Sequence, residues 1–376
     1  MNKTVLIYSP GASYTNFWDV DSNSEGLGGT ESMICSLAKH LSKVGYVVTL
    51  VCNPENSHVS STGVRCITKE SIELNICFFD FGIFYFSDDA KRMKQNCGKI
   101  FLFPSCEPVQ RNREEEISGY DEIDYVHKIV CLSEFHKKYI TSKHGIPENK
   151  IVLIPNGFDW YEYYEDVNND EKTISMLWSS RYERNFEFFM DKVFPKVKKY
   201  YPHFKIYFAS YNDEYFKKAE EKYGNEIEIL GKLSKKELAE YQKKCCIWAY
   251  PNLGINFYNV NEDLWDNFVF HETFCYTALE NALAGNAIIC FGNDKDGIST
   301  TLKNGKFIHS SVFDEYSYFY NEDLEAVANL MAAEIVRCLS YKDTLVKHTF
   351  SRTDPIWNEY RWENVIKQWI KMLEDE

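Results

Sequence analysis

Two α/β domains in series, each built on a parallel sheet with helices on both faces, are what this sequence predicts, and three observations predict it. The chain has 376 residues, more than one hydrophobic core ordinarily serves. Short apolar, β-branched runs alternate with amphipathic stretches, the mark of strand–helix–strand units. The alternation is interrupted once, after Pro155-Asn156-Gly157, by the acidic and aperiodic "FDWYEYYEDVNNDEKT", and then restarts. The expected division is a first domain over 1–156, a linker over 157–172, a second domain over 173–356 and a closing helix over 357–376.

In the first half "TVLIYS", "VVTLVC", "NICFFDFGI", "KIFLF", "HKIVCL" and "KIVLIP" read as strands. Between them, "TESMICSLAKHLSKVG" and "SEFHKKYITSKHG" read as helices. Each opens on a Thr or Ser whose oxygen can accept from first-turn N–H groups, and each closes near a glycine suited to a helix end. In the second half the strands are "ISMLWSS", "KIYFAS", "IEIL", "CIWAYP", "AIICFG" and "KFIH", with helices in "FEFFMDKVFPKVKKYY", "SKKELAEYQKKC" and "ETFCYTALENALAG". Two halves of this kind bind a ligand at the carboxyl ends of their strands, in the crevice between them.

Composition narrows the class. With 44% hydrophobic residues, 16% aromatics and no uninterrupted apolar run of spanning length, a soluble globular protein is expected, with peripheral contact to a membrane left open. The start "MNKTVLIYSPGAS" has one lysine and a five-residue apolar run, so it reads as a first strand and not a secretory signal, and the chain is expected to begin at Met1. The 12 cysteines show no metal-ligand spacing, and Cys245 and Cys246 sit together in an apolar run. Buried thiols in a reducing, cytoplasmic compartment are expected. A formal charge of −14 speaks against nucleic acid as a partner, so an anionic ligand needs a local positive site.

Such a site is suggested by "HETFCYTALENALAG", residues 271–285, where Glu272 and Glu280 stand eight positions apart around a helix opening. A helix start offers unpaired N–H groups and roughly half a positive charge, which suit a phosphate or diphosphate. Eight residues at helical rise span about 12 Å, the reach from a sugar ring past a diphosphate to a ribose. One acid can then take sugar hydroxyls and the other ribose hydroxyls. Equally, Glu272 can be a first-turn acid favoured by the helix dipole and Glu280 a solvated helix residue.

Two further stretches suit an anion. In "EGLGGTES" the glycines Gly26, Gly28 and Gly29 let backbone N–H groups approach a phosphate, and Thr30 can cap the helix that follows; a plain strand-to-helix turn reads the same way. Glu31 stands where a dinucleotide fingerprint has its third glycine, which disfavours a nicotinamide enzyme. In "SSRYERN", Ser180, Arg181, Arg184 and Asn185 follow the first strand of the second half. A guanidinium can grip two phosphate oxygens at once, although Arg181 also suits an ordinary surface position.

Taken in order, "GLGGTESMICSLAKHLSKVGYVVTLV", "IVCLSEFHKKYI", "IPENKIVLIPNGFD", "SSRYERNFEFFMDKVFPKVKKYYPHFKIYFAS", "HETFCYTALENALAG" and "RWENVIKQWIKML" resemble the E-x7-E type of retaining GT-B glycosyltransferases in and around family 4. The resemblance covers nearly the whole chain. It implies two Rossmann-like domains facing a central cleft, with the closing helix crossing back to the first domain. It also implies transfer of a hexose or pentose from a UDP- or GDP-sugar to a hydroxyl acceptor such as a glycan, with retention and without a cofactor.

Residue by residue, the resemblance places Gly28, Gly29 and Thr30 over the donor diphosphate, beside the acceptor. Arg184-Asn185 corresponds to a cation-Gly pair, with Asn in place of Gly, which puts the tight turn in question. The backbone of Lys232 and Leu233 meets the nucleobase, and the segment Thr273, Phe274, Cys275, Tyr276 and Thr277 offers N–H groups to the diphosphate. Glu272 orients the sugar and Glu280 holds the ribose. The stretch "FLFPSCEPV" departs from the family: relatives often have a His here, and Cys106 or Glu107 occupies about that place. Glu107 is either an acid near the anomeric centre or an exposed loop residue. The candidate catalytic residues are thus Glu272, Arg184 and Glu107. The segment "NLGINFYNVNEDLWDNFVFH" is longer than in relatives, its aromatics fitting a sugar platform or a hydrophobic lid. Asp19-Val20-Asp21 resembles the metal-binding pair of the other glycosyltransferase fold but lies in a loop before the Gly-rich turn, so no metal is expected. Two alternatives share the architecture: a nucleotide-sugar epimerase and a non-catalytic nucleotide-sugar-binding protein. The oligomeric state is left open.

Overall fold

The computed structural model describes residues 2–10, 17–21, 27–74, 77–85, 87–104, 123–159, 161–182, 184–210, 212–251, 272–290, 297–301, 324–341 and 355–375. The chain forms two compact units, one of residues 1–159 with 355–376 and the other of 160–354. Residues 157–159 of the segment expected as a linker therefore belong to the first unit and the rest to the second.

In the first unit the strands are β1 (Thr4–Tyr8), β2 (Val47–Val51), β3 (His58–Val59), β4 (Arg65–Ile67), β5 (Phe79–Phe84), β6 (Cys97–Leu102), β7 (Lys128–Cys131) and β8 (Ile151–Leu153). The helices are α1 (Gly29–Lys43), α2 (Lys69–Leu74), α3 (Ser87–Met93) and α4 (Glu134–His144). The sheet order is β3-β4-β2-β1-β5-β6-β7-β8, with β3 antiparallel to β4 and the other pairs parallel. The central strands are apolar on both faces because helices cover both: Val5, Leu6, Ile7, Tyr8, Val48, Leu50 and Val51 are all buried. β3 and β4 are too short to leave a readable period.

Helix α4 is closed as its sequence predicts. Ser133 Oγ accepts from His136 N at 3.1 Å, and Gly145 ends the helix in the left-handed conformation, φ 64°. Helix α1 differs. It starts at Gly29, with extended Gly28 as its N-cap and no capping side chain. Ser32 N donates to Gly28 O at 3.0 Å, so the first helical bond forms two residues earlier than expected and Thr30 lies inside the first turn. The expectation that Thr30 caps this helix is corrected accordingly.

The closing helix α12 (Trp362–Glu374) belongs to the first unit, and its buried stripe is Trp362, Val365, Ile366, Trp369, Met372 and Leu373. Trp369 meets Phe103 edge-on at 5.0 Å, and Trp362 stacks on His40 at 4.8 Å. A Cβ on Gly157 would run into the Trp362 ring, so the glycine of the Pro-Asn-Gly turn is required by the docking of this helix.

The second unit opens with two 3₁₀ turns, Tyr161–Tyr164 and Asn169–Glu171. Its elements are β9 (Thr173–Trp178), α5 (Phe186–Phe188), α6 (Phe194–Tyr200), β10 (Lys205–Ala209), α7 (Asp213–Tyr223), β11 (Ile227–Gly231), α8 (Lys235–Lys244), β12 (Cys245–Tyr250), α9 (Tyr276–Leu283), β13 (Ala287–Cys290), α10 (Gly297–Thr301) and α11 (Leu324–Ser340). Between α5 and α6 a π turn, Phe189–Val193, accommodates Pro195, which has no N–H to continue an α ladder. The parallel sheet has the order β11-β10-β9-β12-β13. Its direction of winding reverses between β9 and β12, and the carboxyl ends of those two strands are where such a sheet binds ligands. Cys245 and Cys246 are buried in β12, and the described cysteines are free thiols. The expected strand "KFIH" lies outside the described residues. No described helix is long and apolar enough to cross a membrane.

Candidate active site

At the winding reversal, β9 runs through Ser180 and Arg181 into a turn in which Arg184 N donates to Arg181 O at 3.1 Å. The next residue, Asn185, adopts φ 64° and ψ 30°. Asn tolerates this left-handed conformation better than other non-glycine residues, so the turn is kept without the glycine. Asn185 Nδ2 also donates to Pro251 O at 3.1 Å, tying the turn to the end of β12.

The turn aims Arg184 at Glu272. Its Nη1 donates to Glu272 Oε1 and, at 3.0 Å, to the Tyr250 hydroxyl, which lies 3.2 Å from the same Glu272 oxygen. Burial opposes the charge on Arg184, but the Glu272 carboxylate and Tyr250 outweigh it and hold the guanidinium above its ordinary range. Arg184 keeps 26% of its side chain exposed against 8% for Glu272, so its outer edge reaches solvent. Burial, partly offset by Arg184, drives the Tyr250 hydroxyl well above its usual range, so it stays protonated. Burial and then Glu272 do the same to the Cys275 thiol.

Glu272 stands on a loop. The helix expected to begin at this residue starts only at Tyr276, because tertiary bonds claim the backbone before it. Gly297 N donates to Glu272 O at 2.8 Å, and Cys275 N donates to Thr301 Oγ1 at 3.3 Å, which itself donates to Gly297 O at 2.6 Å. A Cβ on Gly297 would collide with the Glu272 carbonyl and the Thr273 backbone, so only glycine allows this approach. Of the N–H groups expected to face a diphosphate, that of Cys275 is committed to Thr301. Thr273, Phe274 and Tyr276 are buried, and Thr277 is half-buried.

Glu280 lies on α9 and is only 2% exposed. Its Oε1 accepts from Lys235 Nζ and its Oε2 from Gln242 Nε2, both at 3.2 Å. Gln242 Oε1 in turn accepts from the Tyr164 hydroxyl at 2.6 Å. Lys235 is the first residue of α8, whose start is fixed by a capping box between Ser234 and Glu237. Just before it, exposed Lys232 lies 3.4 Å from Asp213, and Leu233 packs on the core cluster of Leu177, Tyr207, Ala209 and Cys245. Neither acid is thus a solvated helix residue.

The far end of α9 is pinned by Lys172, 3% exposed, whose Nζ lies 2.7 Å from Ala284 O, Cys245 O and Asn286 Oδ1 and 3.0 Å from Lys243 O. Three N–H donors are shared among four oxygens, joining α8, β12 and α9 at one point.

The structure therefore brings Arg184, Glu272 and Glu280 into one unit around β9, β12 and α9, with Ser180, Arg181, Asn185, Lys232 and Leu233 on the adjoining turns. Gly28, Gly29 and Thr30 lie at the start of α1 in the first unit. Glu107, Cys106 and the segment 252–271 lie outside the described residues. Asp19 Oδ1 accepts from Asp21 N at 2.8 Å, and no cluster of three or more His, Cys, Asp or Glu side chains among the described residues is placed to hold a metal. Sequence reasoning missed Tyr250, Lys235, Gln242, Tyr164, Gly297 and Thr301. Only Tyr250, ending an apolar strand just before a proline, carried any local signal.

No protein-family model matches the sequence, and no curated protein matches it. Among solved structures the chain is similar to a glycosyltransferase from Rickettsia africae ESF-5, at 14% identity and a TM-score of 0.65 over 100% of both chains. It is also similar to WaaG, a glycosyltransferase involved in lipopolysaccharide biosynthesis, at 8% identity and a TM-score of 0.57 over 99% of this chain and 100% of that one. A third similarity is to the pneumococcal O-GlcNAc transferase GtfA, solved with UDP and GlcNAc, at 16% identity and a TM-score of 0.56 over 81% of this chain and 58% of that one. These likenesses show the fold, two Rossmann-like α/β domains of the GT-B type.

Proposed function

We propose that the protein is a retaining glycosyltransferase that moves a hexosyl or pentosyl group from a UDP- or GDP-sugar to a hydroxyl acceptor such as a glycan. The observation that carries this reading is the meeting of Arg184, Tyr250 and Glu272 at the carboxyl ends of β9 and β12, with Glu280 on the following helix. The fold likeness to glycosyltransferases supports it, and GtfA, solved with UDP and GlcNAc, makes UDP the first ligand to test.

In this reading the bond from the anomeric carbon to the diphosphate oxygen breaks through an oxocarbenium-like transition state, with negative charge growing on the departing diphosphate. Arg184, held cationic, stabilises that charge through its exposed edge, and preorganised charge of this kind is often the largest catalytic term. Glu272 orients sugar hydroxyls and Glu280 accepts from the ribose. Lys235 and Gln242 hold the Glu280 carboxylate in place for that contact. The acceptor hydroxyl attacks on the face the diphosphate leaves, and a diphosphate oxygen takes its proton. Retention then needs no protein nucleophile, and no step requires a metal.

A thermal-shift screen over nucleoside diphosphates and their sugars tests the reading, because a ligand of the native state raises its apparent stability. The expected result is a rise in Tm with a uridine or guanosine diphosphate, followed by transfer to an added acceptor with the donor's anomeric configuration kept by NMR. Failure of every nucleoside diphosphate and nucleotide sugar to raise Tm would overturn the reading, and an inverted product would overturn retention.

A further inference from the structure

Glu272 takes both of its side-chain partners on one oxygen. Arg184 Nη1 and the Tyr250 hydroxyl converge on Oε1, and Oε2 receives no hydrogen bond from the described residues. Among the described residues, the titratable groups facing this carboxylate are Arg184 from the turn after β9, Tyr250 from β12 and Cys275 from the loop before α9. Of these, Tyr250 is the one packed among aromatic rings. Its ring stacks on Trp248 of the same strand at 5.2 Å and 18°, and leans on Trp178 of β9 at 6.1 Å. The ring is buried, so this aromatic floor fixes where the hydroxyl stands.

A conflict follows from the proposed chemistry. Arg184 serves Glu272, yet a bound diphosphate carries more charge than a carboxylate and competes for the same guanidinium. A nearly buried carboxylate left without a donor is costly, and when Arg184 turns away the Tyr250 hydroxyl is the donor that stays. We propose that Tyr250 is a positioning residue that keeps Glu272 anchored through Oε1 while Arg184 turns to the donor diphosphate, leaving Oε2 to receive a sugar hydroxyl. This rests on the glycosyltransferase reading above. The Tyr250 hydroxyl is suited to the task because it cannot ionise in the working range and so donates throughout.

The test compares wild type with Tyr250→Phe, which keeps the ring and removes the hydroxyl. Calorimetry with UDP and GDP should give affinities unchanged within about twofold, since neither ligand carries the sugar that Glu272 addresses. With the nucleotide sugar that wild type turns over, kcat should fall by about 10- to 100-fold. In Glu272→Gln, adding Tyr250→Phe should cost little more, because the group it positions is already altered. A wild-type kcat in Tyr250→Phe would overturn the proposal and leave the glycosyltransferase reading standing. Equal losses of UDP or GDP affinity and of kcat would overturn it too, marking Tyr250 as merely structural. If wild-type protein bound neither nucleoside diphosphates nor their sugars, both readings would fall together.

Discussion

Glu272 and Glu280 stand eight residues apart, are both nearly buried and each pair with a cation, yet the protein holds them by different means. Glu280 rides on a helix, and its carboxylate is set by a polar network of Lys235, Gln242 and Tyr164 that lies behind it. Glu272 rides on a loop that is held from outside by Gly297 and Thr301, and its carboxylate rests on an arginine and a tyrosine supported by tryptophans. The first arrangement is set by side chains of the unit itself. The second joins a rigid hydroxyl to a partly exposed cation that a ligand can draw away. Under the proposed glycosyl transfer, ground-state binding suits the Glu280 arrangement, and an interaction that changes along the reaction suits that of Glu272.

The largest effect should come from the point that makes the Glu280 side rigid. Lys172→Met strands four oxygens around the end of α9, and should destabilise the second unit by about 3 to 5 kcal/mol. Thermal unfolding should then show a Tm lower by on the order of 10 °C. An unchanged Tm would mean that the end of α9 does not depend on this pin.

Next comes Glu272→Gln, expected to lower transfer by about 100- to 1000-fold while nucleoside diphosphate affinity stays the same or tightens slightly, because Arg184 loses a competitor. Weaker diphosphate binding in that variant would erase the proposed difference between the two acids. Arg184→Ala should weaken nucleoside diphosphate binding by about 1.5 to 3 kcal/mol in calorimetry, the range of a charge-assisted contact. Unchanged affinity would remove Arg184 from the donor grip. The smallest effect is expected for Glu280→Gln. A neutral acceptor should weaken the free nucleoside diphosphate and the full donor alike by about 1 kcal/mol, seen mainly in KM. A selective loss of kcat there would reverse the assignment of the two acids.

What could be read in advance follows from range. Parallel strands buried on both faces show as β-branched apolar runs, and β1, β2, β9 and β12 were visible for that reason. Ser133 and Gly145 likewise announced both ends of α4, since each acts on groups within four residues of itself. The start of α9 was misjudged because the backbone of Glu272 and Cys275 bonds to Gly297 and Thr301, more than twenty residues ahead, and no local pattern reports that. Thr30 misled for the opposite reason: a plausible cap lay next to a glycine that opens the helix without one.

The sequence by itself determined the α/β class, the strands of both sheets that carry long apolar runs, and the pairing in sequence of an acid before a helix with another inside it. Those are consequences of burial and periodicity, which act over a few residues. Only the tertiary structure decided that Arg184 and Tyr250 share one oxygen of Glu272, that Lys235 and Gln242 flank Glu280, and that Lys172 closes on four oxygens from distant segments. Each of these depends on which strands become neighbours at the winding reversal of a parallel sheet. That adjacency is set by the packing of the whole unit, so it leaves no mark in the spacing of residues along the chain.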